Sequence, residues 1–430
     1  MTFKQTAVRA AAALALGAAL IPAHATNGYF SHGYGVKSKG MAGAGVALAQ
    51  DAFAGANNPA QSASAGNRYD VGLDLFMPER EMSRTFGPMT LHEAKSEKER
   101  FWIPEFGINQ SIDNNLSMGL TIYGNGGMNT TYPSQPALCQ FGSNQATPGS
   151  NAMCGQGRLG VNLEQLIVAP TVAYRLNAHH ALGLSPLIVY QTFKAYGLQA
   201  FSPMTPSQSP QYLSDQGKDS SSGVGVRLGY LGQVNDMVSV GASYSPKINM
   251  SKFSAYKELF AEGGDFDIPA NYTLGVALKA SPAVTIALDY QNIQYSGVRS
   301  IGNSSANTAM GMGVLGSAQG SGFGWQDVGV VKLGVQWQAS QTLTVRAGYS
   351  QGDNPIRAQD VSFNILAPGV IEKHMTLGVT MKLDAKSEVS GSYMHAVSNS
   401  VTGNSFFGNG IQETIQMKQN SLGVQYSRQF

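Results

Sequence analysis

Asp74, Glu105, Arg175, Arg227, Asp289, Lys332 and Arg346 each stand between apolar neighbours, one position to either side. Charges so placed could do acid–base work, hold a polar or anionic head group, or pair with one another, and pairing is the common fate of buried charge. Three of them, Arg227, Lys332 and Arg346, are the candidates for holding an anionic head group. Other chemistry has less support. The stretch GQGRLG, residues 155–160, matches G-x-G-x-x-G, but the dinucleotide fingerprint needs a strand before it and a helix after it, and neither pattern is present. His179 and His180 share a short turn, no histidine has zinc-ligand spacing, and no G-x-S-x-G elbow occurs. No metal, no cofactor and no enzymatic activity are therefore expected. Cys139 and Cys154 are the only 2 cysteines. In an exported chain they are expected to form one disulfide closing a loop.

Export is itself read from residues 1–25, where Lys4 and Arg9 precede an apolar run and Ala23-His24-Ala25 offers a small-residue cleavage site. The run is shorter than the ~20 residues of a spanning helix. Without Lys4 and Arg9, the 28 Lys+Arg fall to 26 against 26 Asp+Glu. A neutral chain with no basic run lacks the surface that nucleic acid requires, so no nucleic-acid partner is expected.

The elements that must position the charges are strands. From Tyr69 the apolar residues fall on every second position, through Val71, Leu73, Leu75 and Met77, with Asp70 and Asp74 between them. That period marks a strand with one apolar and one polar face. It returns along the chain, and with two less regular rows near residues 101–110 and 181–193 the count reaches fourteen strands. Connections alternate strictly between short (111–115, 177–180, 232–236, 280–283, 339–342 and 384–387) and long (79–99, 128–163, 195–222, 250–270, 296–327, 352–372 and 398–419). Tight turns at one end and long loops at the other are the mark of a transmembrane β-barrel. Aromatic residues near the row ends, such as Tyr174, Tyr230, Tyr290, Trp337, Tyr349 and Tyr426, suit interfacial girdles. A charge facing lipid at mid-membrane costs ~2 to 4 kcal/mol for Lys or Arg, so the charges between apolar neighbours must face the lumen.

Two stretches then carry a resemblance. GMAGAGVALAQDAFAGANNPA, residues 40–60, resembles the amino-terminal hatch of the FadL-type outer-membrane transporters, ending in Asn58-Pro59-Ala60. MGLTIYGNGGMNTTY, residues 118–132, is similar to that family's third strand, which breaks at glycines; LTVRAGYSQGDNPI, HMTLGVTMKL and the terminal LGVQYSRQF agree more weakly. The resemblance implies an all-β, 14-stranded antiparallel barrel with a hatch in its lumen. It divides the chain into a signal peptide (1–25), a hatch (26–66) and a barrel (67–430). It also implies a monomer in the outer membrane, in contact with its lipid, that passes hydrophobic small molecules, long-chain fatty acids or hydrocarbons. The ligand would lodge against the hatch's amino end, where Tyr29 and Phe30 are candidate pocket residues, and leave sideways where the third strand kinks. Consecutive glycines weaken strand pairing, so Gly124, Gly126 and Gly127 are the candidates for the lateral opening. A general diffusion porin and a surface adhesion barrel remain the alternatives.

Overall fold

The computed structural model describes residues 27–139 and 147–430. The expected signal segment lies outside the described residues. Among these described residues, fifteen strands form one sheet: β1 (Arg68–Phe86), β2 (Met89–Lys95), β3 (Phe101–Ser111), β4 (Leu116–Asn129), β5 (Gly160–Arg175), β6 (His180–Tyr196), β7 (Asp219–Gln233), β8 (Val238–Ser245), β9 (Asn271–Ser281), β10 (Val284–Ile293), β11 (Val328–Gln338), β12 (Leu343–Gly352), β13 (Lys373–Lys382), β14 (Ser387–Asn404) and β15 (Ile411–Gln429). Strands β3 to β15 pair antiparallel in chain order, and β15 pairs back onto β1 from Arg68↔Gln429 to Phe86↔Ile411, which closes the wall. β2 and β3 follow one another along the same edge of β1. They fill one wall position, so the closed barrel is fourteen strands around.

Alternation along each strand separates lipid from lumen. On β1, Asp70 and Asp74 are 0% and 3% exposed while Val71 and Leu73 are 37% and 38% exposed. Leu182, Leu228, Leu288, Leu333, Leu377 and Leu422 are likewise exposed on the outer face. An apolar surface this continuous is not tolerated in water and fits the hydrocarbon band of a membrane. Tyr174, Tyr230, Trp337 and Tyr426 ring the short-turn end, and Tyr190, Tyr244, Tyr290 and Tyr349 lie toward the other end. Closure pairs the backbone of the wall in lipid except along part of the β3–β4 edge.

Two of the expected long connections are mostly strand. β1 runs on to Phe86 and returns as β2, so residues 79–99 form a hairpin, and β14 and β15 extend to Asn404 and from Ile411 across residues 398–419. Outward positions there are polar, with Glu79 opposite Lys418 and bonded to it at 2.9 Å. Beyond the membrane the apolar contrast disappears while the hydrogen-bonded ladder continues, which is why periodicity alone did not show these extensions.

Inside the barrel the two halves differ. Toward the short turns, residues 27–66 are largely buried against inward wall positions and are held by charge and hydrogen bonds. Toward the long loops, the lumen is packed with Phe193, Phe253, Phe260, Phe266, Tyr295, Trp325 and other apolar side chains contributed by the loops and upper strands. Cys139 and Cys154 are joined in a disulfide in the loop after β4.

Candidate functional site

The site begins with how the amino-terminal segment is seated. Asn58 donates from Nδ2 to the carbonyls of Val46 (2.8 Å) and Tyr230 (2.9 Å), and its Oδ1 accepts the Ala60 N–H at 3.1 Å. Pro59 follows as the first residue of a short 3-10 turn, Pro59–Gln61, a position that needs no N–H. The wall meets this corner with glycine: a Cβ on Gly229 would lie 2.1 Å from Asn58 Oδ1, and one on Gly183 would lie 2.2 Å from the Ala60 nitrogen. Small residues are thus required on both sides of the contact.

Charges complete the seating. Lys39 Nζ reaches Asp74 Oδ2 at 3.1 Å and Glu105 Oε1 at 2.5 Å, while Glu105 Oε2 accepts the Gly35 N–H at 2.9 Å. Burial acts to lower the Lys39 ammonium, but the two carboxylates outweigh it and hold its pKa above the ordinary lysine value. Asp289 Oδ2 accepts the N–H groups of Gly45 (2.7 Å) and Val46 (2.8 Å). Lys37 pairs with Glu388, which also takes Arg68 at 2.9 Å. Most of the inward charges therefore bind the segment rather than line a free channel. His32 of the segment stacks on His374 of β13, with ring centroids 5.8 Å apart. Burial first, then His374 and the nearby lysines, keep the His32 pKa well below the usual imidazole range.

The wall itself has a break. β3 and β4 pair only from Phe106↔Ile122 to Ser111↔Ser117. Above that, Phe101–Glu105 pairs with β1 alone and Tyr123–Asn129 with β5 alone. Contact resumes where Glu97 N–H donates to Thr131 O at 2.8 Å and Thr131 N–H to Ser96 Oγ at 3.0 Å. The unpaired stretch of β4 measures roughly 20 Å at ~3.3 Å per residue. Within it Asn125 is an extra residue, since Gly124 pairs with Leu166 and Gly126 with the adjacent Gln165. The amino end of the segment takes up the free edge: Ser31 N–H donates to Asn125 O at 3.2 Å and Gly127 N–H to Tyr29 O at 3.1 Å. A Cβ on Gly126 would fall 1.9 Å from Tyr29 O, so this approach also needs glycine.

Tyr29 and Phe30 continue into an aromatic cluster. Tyr29 lies 5.3 Å from Tyr295 and 6.1 Å from both Phe266 and Trp325, measured between ring centroids. Tyr295 Oη accepts the N–H groups of Tyr29 (3.1 Å) and Phe30 (3.3 Å) and donates to Asn27 O. The break in the wall therefore sits where the polar lower half of the lumen meets the apolar upper half.

The chain matches the family described as outer membrane protein transport protein (OMPP1/FadL/TodX) over residues 19–430. It belongs to that family. No curated protein matches it. Among solved structures it is similar to the P. putida toluene transporter TodX (20% identity, 93% of this chain and 99% of that one, TM-score 0.67). It is also similar to a Pseudomonas aeruginosa FadL homologue (15% identity, 94% and 100%, TM-score 0.68) and to the Ralstonia pickettii toluene transporter TbuX (18% identity, 93% and 99%, TM-score 0.64). At these identities the likeness establishes the fold, a closed 14-stranded barrel, and the family match places it in the outer membrane.

Within this OMPP1/FadL/TodX-family barrel the candidate residues fall into separate groups. Gly124, Gly126 and Gly127 lie on the unpaired part of β4, next to Tyr29 and Phe30. Arg227 donates to the carbonyls of Gly55 (3.0 Å) and Ala56 and to Tyr123 Oη (3.2 Å). Lys332 donates to His32 O at 3.2 Å. Arg227, Lys332 and Phe30 share the wall of a small cavity between the segment and strands β7 to β11. Arg346 is farther away, bonded to Gln336 Oε1 (3.0 Å) and Thr380 Oγ1 (2.7 Å). The GQGRLG stretch leads into β5 rather than into a helix.

Proposed function

We propose that this family member carries hydrophobic small molecules, long-chain fatty acids or hydrocarbons, passively from the loop end of its lumen to the membrane interior, leaving sideways through the break between β3 and β4. Residues 26–66 act as the hatch, and Gly124, Gly126 and Gly127 form the lateral opening. The observation that carries this reading is the position of the break. It lies at the level where the apolar lumen ends on Tyr29 and Phe30, and below it the lumen is filled by ion-paired and hydrogen-bonded hatch. An apolar cargo gains nothing by continuing down, since each CH2 returned to polar surroundings forgoes about 0.8 kcal/mol. Sideways, the next medium is hydrocarbon. The protein works as a transporter, as one chain in outer-membrane lipid, and the reading needs no catalytic step.

Deletion of Asn125 tests it directly. Without the extra residue β4 regains one-to-one register with β5 and can continue its ladder along β3. Uptake of a hydrophobic substrate in cells is expected to fall at least ~10-fold while the barrel still shows heat-modifiable gel mobility. Undiminished uptake through a folded variant would remove the lateral route.

A further inference from the structure

Beyond the lipid-facing band, the outer wall on either side of the β3–β4 break carries charge, and three of its lysines are matched. Lys95 pairs with Glu81 at 2.8 Å, Lys418 with Glu79 at 2.9 Å and Lys218 with Glu164 at 2.9 Å. Lys98 and Lys194 meet no carboxylate among the described residues, and with Arg158 they line an open cleft of about 530 Å3 at the upper end of the break. The one carboxylate in that lining is Glu97, which pairs with Arg158, both side chains about half exposed. Glu99 and Arg100, next in the chain, add no net charge. Three cations thus stand against one anion, and an exposed ion pair of this kind is weak enough for its guanidinium to be shared.

The cleft faces away from the lumen. Lys194 falls on the same face of β6 as Leu182, Leu184, Ile188 and Tyr190, all exposed, and Asn162 of β5 lies opposite it in register. Lys194 follows Tyr190 by four residues. At ~3.3 Å per residue and a strand tilt of about 35–45°, that is roughly 9 to 11 Å above the aromatic girdle. On the other flank Lys98 precedes Trp102, which is 54% exposed, by the same four residues. Both lysines therefore stand level with lipid head groups rather than with acyl chains. Long loops mark the outer side of such barrels, and the outer leaflet of this membrane is built from phosphorylated glycolipids. The Lys194 ammonium is steadied over the Tyr196 ring at 5.4 Å, and Tyr196 Oη in turn donates to Thr130 O at 2.8 Å. Asn162 and Thr131 add polar atoms that suit sugar hydroxyls.

We infer that this cleft binds a phosphate group of an outer-leaflet glycolipid, with Lys98, Arg158 and Lys194 as its cations. The two ammonium groups act as point charges and the guanidinium supplies a planar fork, the combination that suits a phosphate monoester. The acyl chains of a lipid held there descend along the outer wall below the cleft, in front of the unpaired stretch of β4. The site is on the outside of the barrel and does not depend on what the lumen carries, so it stands or falls apart from the transport reading.

The test titrates the full-length protein in detergent micelles with bisphosphorylated lipid A and with the same lipid stripped of its phosphates, and reads bound lipid by native mass spectrometry. Wild type is expected to bind the phosphorylated form roughly 25-fold more tightly, about a factor of five for each unmatched lysine beside an anionic head group. The double variant Lys98→Gln/Lys194→Gln should lose nearly all of that preference. Either single variant should lose about fivefold and serves where the double variant does not give heat-modifiable, folded barrel. Lys279→Gln removes an exposed lysine at the short-turn end and should leave the preference unchanged. Equal binding of the two lipid forms by wild type, or an undiminished preference in the cleft variants, would overturn the assignment. So would an equal loss in Lys279→Gln, which would show attraction to the protein's overall charge. Inorganic phosphate in large excess should not displace the lipid; displacement would show a site for free phosphate and overturn the lipid as its occupant.

Discussion

Single residues in the lumen divide by whether their polar atoms are matched. Lys39, Asp74 and Glu105 satisfy one another, as do Arg84 and Glu413, while Asp51 is the opposite case. One oxygen of Asp51 accepts the Phe53 N–H at 3.1 Å and the other has no partner among the described residues. Burial, then the neighbouring Asp70, push its carboxyl up to about 6. A carboxyl raised in the folded state favours folding below its unfolded pKa, and that contribution is lost as pH climbs through about 6. Asp51→Asn is therefore expected to stabilise the protein at pH 7 to 8, on the order of 2 kcal/mol, and to make no difference below about pH 4. Denaturant titrations of the two proteins at pH 4 and pH 8 would check this, and a gain of equal size at both would contradict it. Arg80 is also buried, with its Nε and Nη2 unmatched among the described residues. In the sequence it stands between Glu79 and Glu81, within the expected long connection 79–99 and without the apolar neighbours that mark the other inward charges. Only the continuation of β1 beyond the membrane band turns it inward.

At the level of elements, the seating of the amino-terminal segment depends on wall glycines as much as on its own small residues. The Asn58-Pro59-Ala60 corner was marked in the sequence by the family resemblance. Gly183 on β6 and Gly229 on β7 were not, because a glycine carries no side chain to signal which face it occupies. Gly229→Val places branched carbon where Asn58 Oδ1 now sits, with a close contact of 2.1 Å at Cβ alone. The ladder of β7 has no need of that glycine, so the wall should still close while the corner is expelled. Planar-bilayer recordings are expected to show frequent channel openings in Gly229→Val that wild type lacks. A variant as silent as wild type would mean that the corner can shift without unseating the hatch.

For the whole molecule, the decisive property is the division of the lumen into an apolar upper half and a polar, ion-paired lower half. The lower half is filled by residues 27–66 and the upper half with side chains from the loops, so purified wild-type protein is expected to carry little steady ion current. Large open-channel currents at neutral pH would instead favour a diffusion porin. Sequence alone determined the barrel, its short-turn end and the lumenal side of the charges. These are properties of period and order, and period-two alternation against lipid is local enough to read one strand at a time. The unpaired stretch of β4, the loop ring of Tyr295 that holds Tyr29 and Phe30, the His32–His374 stack and the unmatched guanidinium of Arg80 were decided only by tertiary structure. Tyr295 Oη meets the Tyr29 N–H across 266 positions of sequence. Whether a buried polar atom is matched, or a strand edge paired, depends on what closure of the barrel brings opposite it, and no local pattern encodes that.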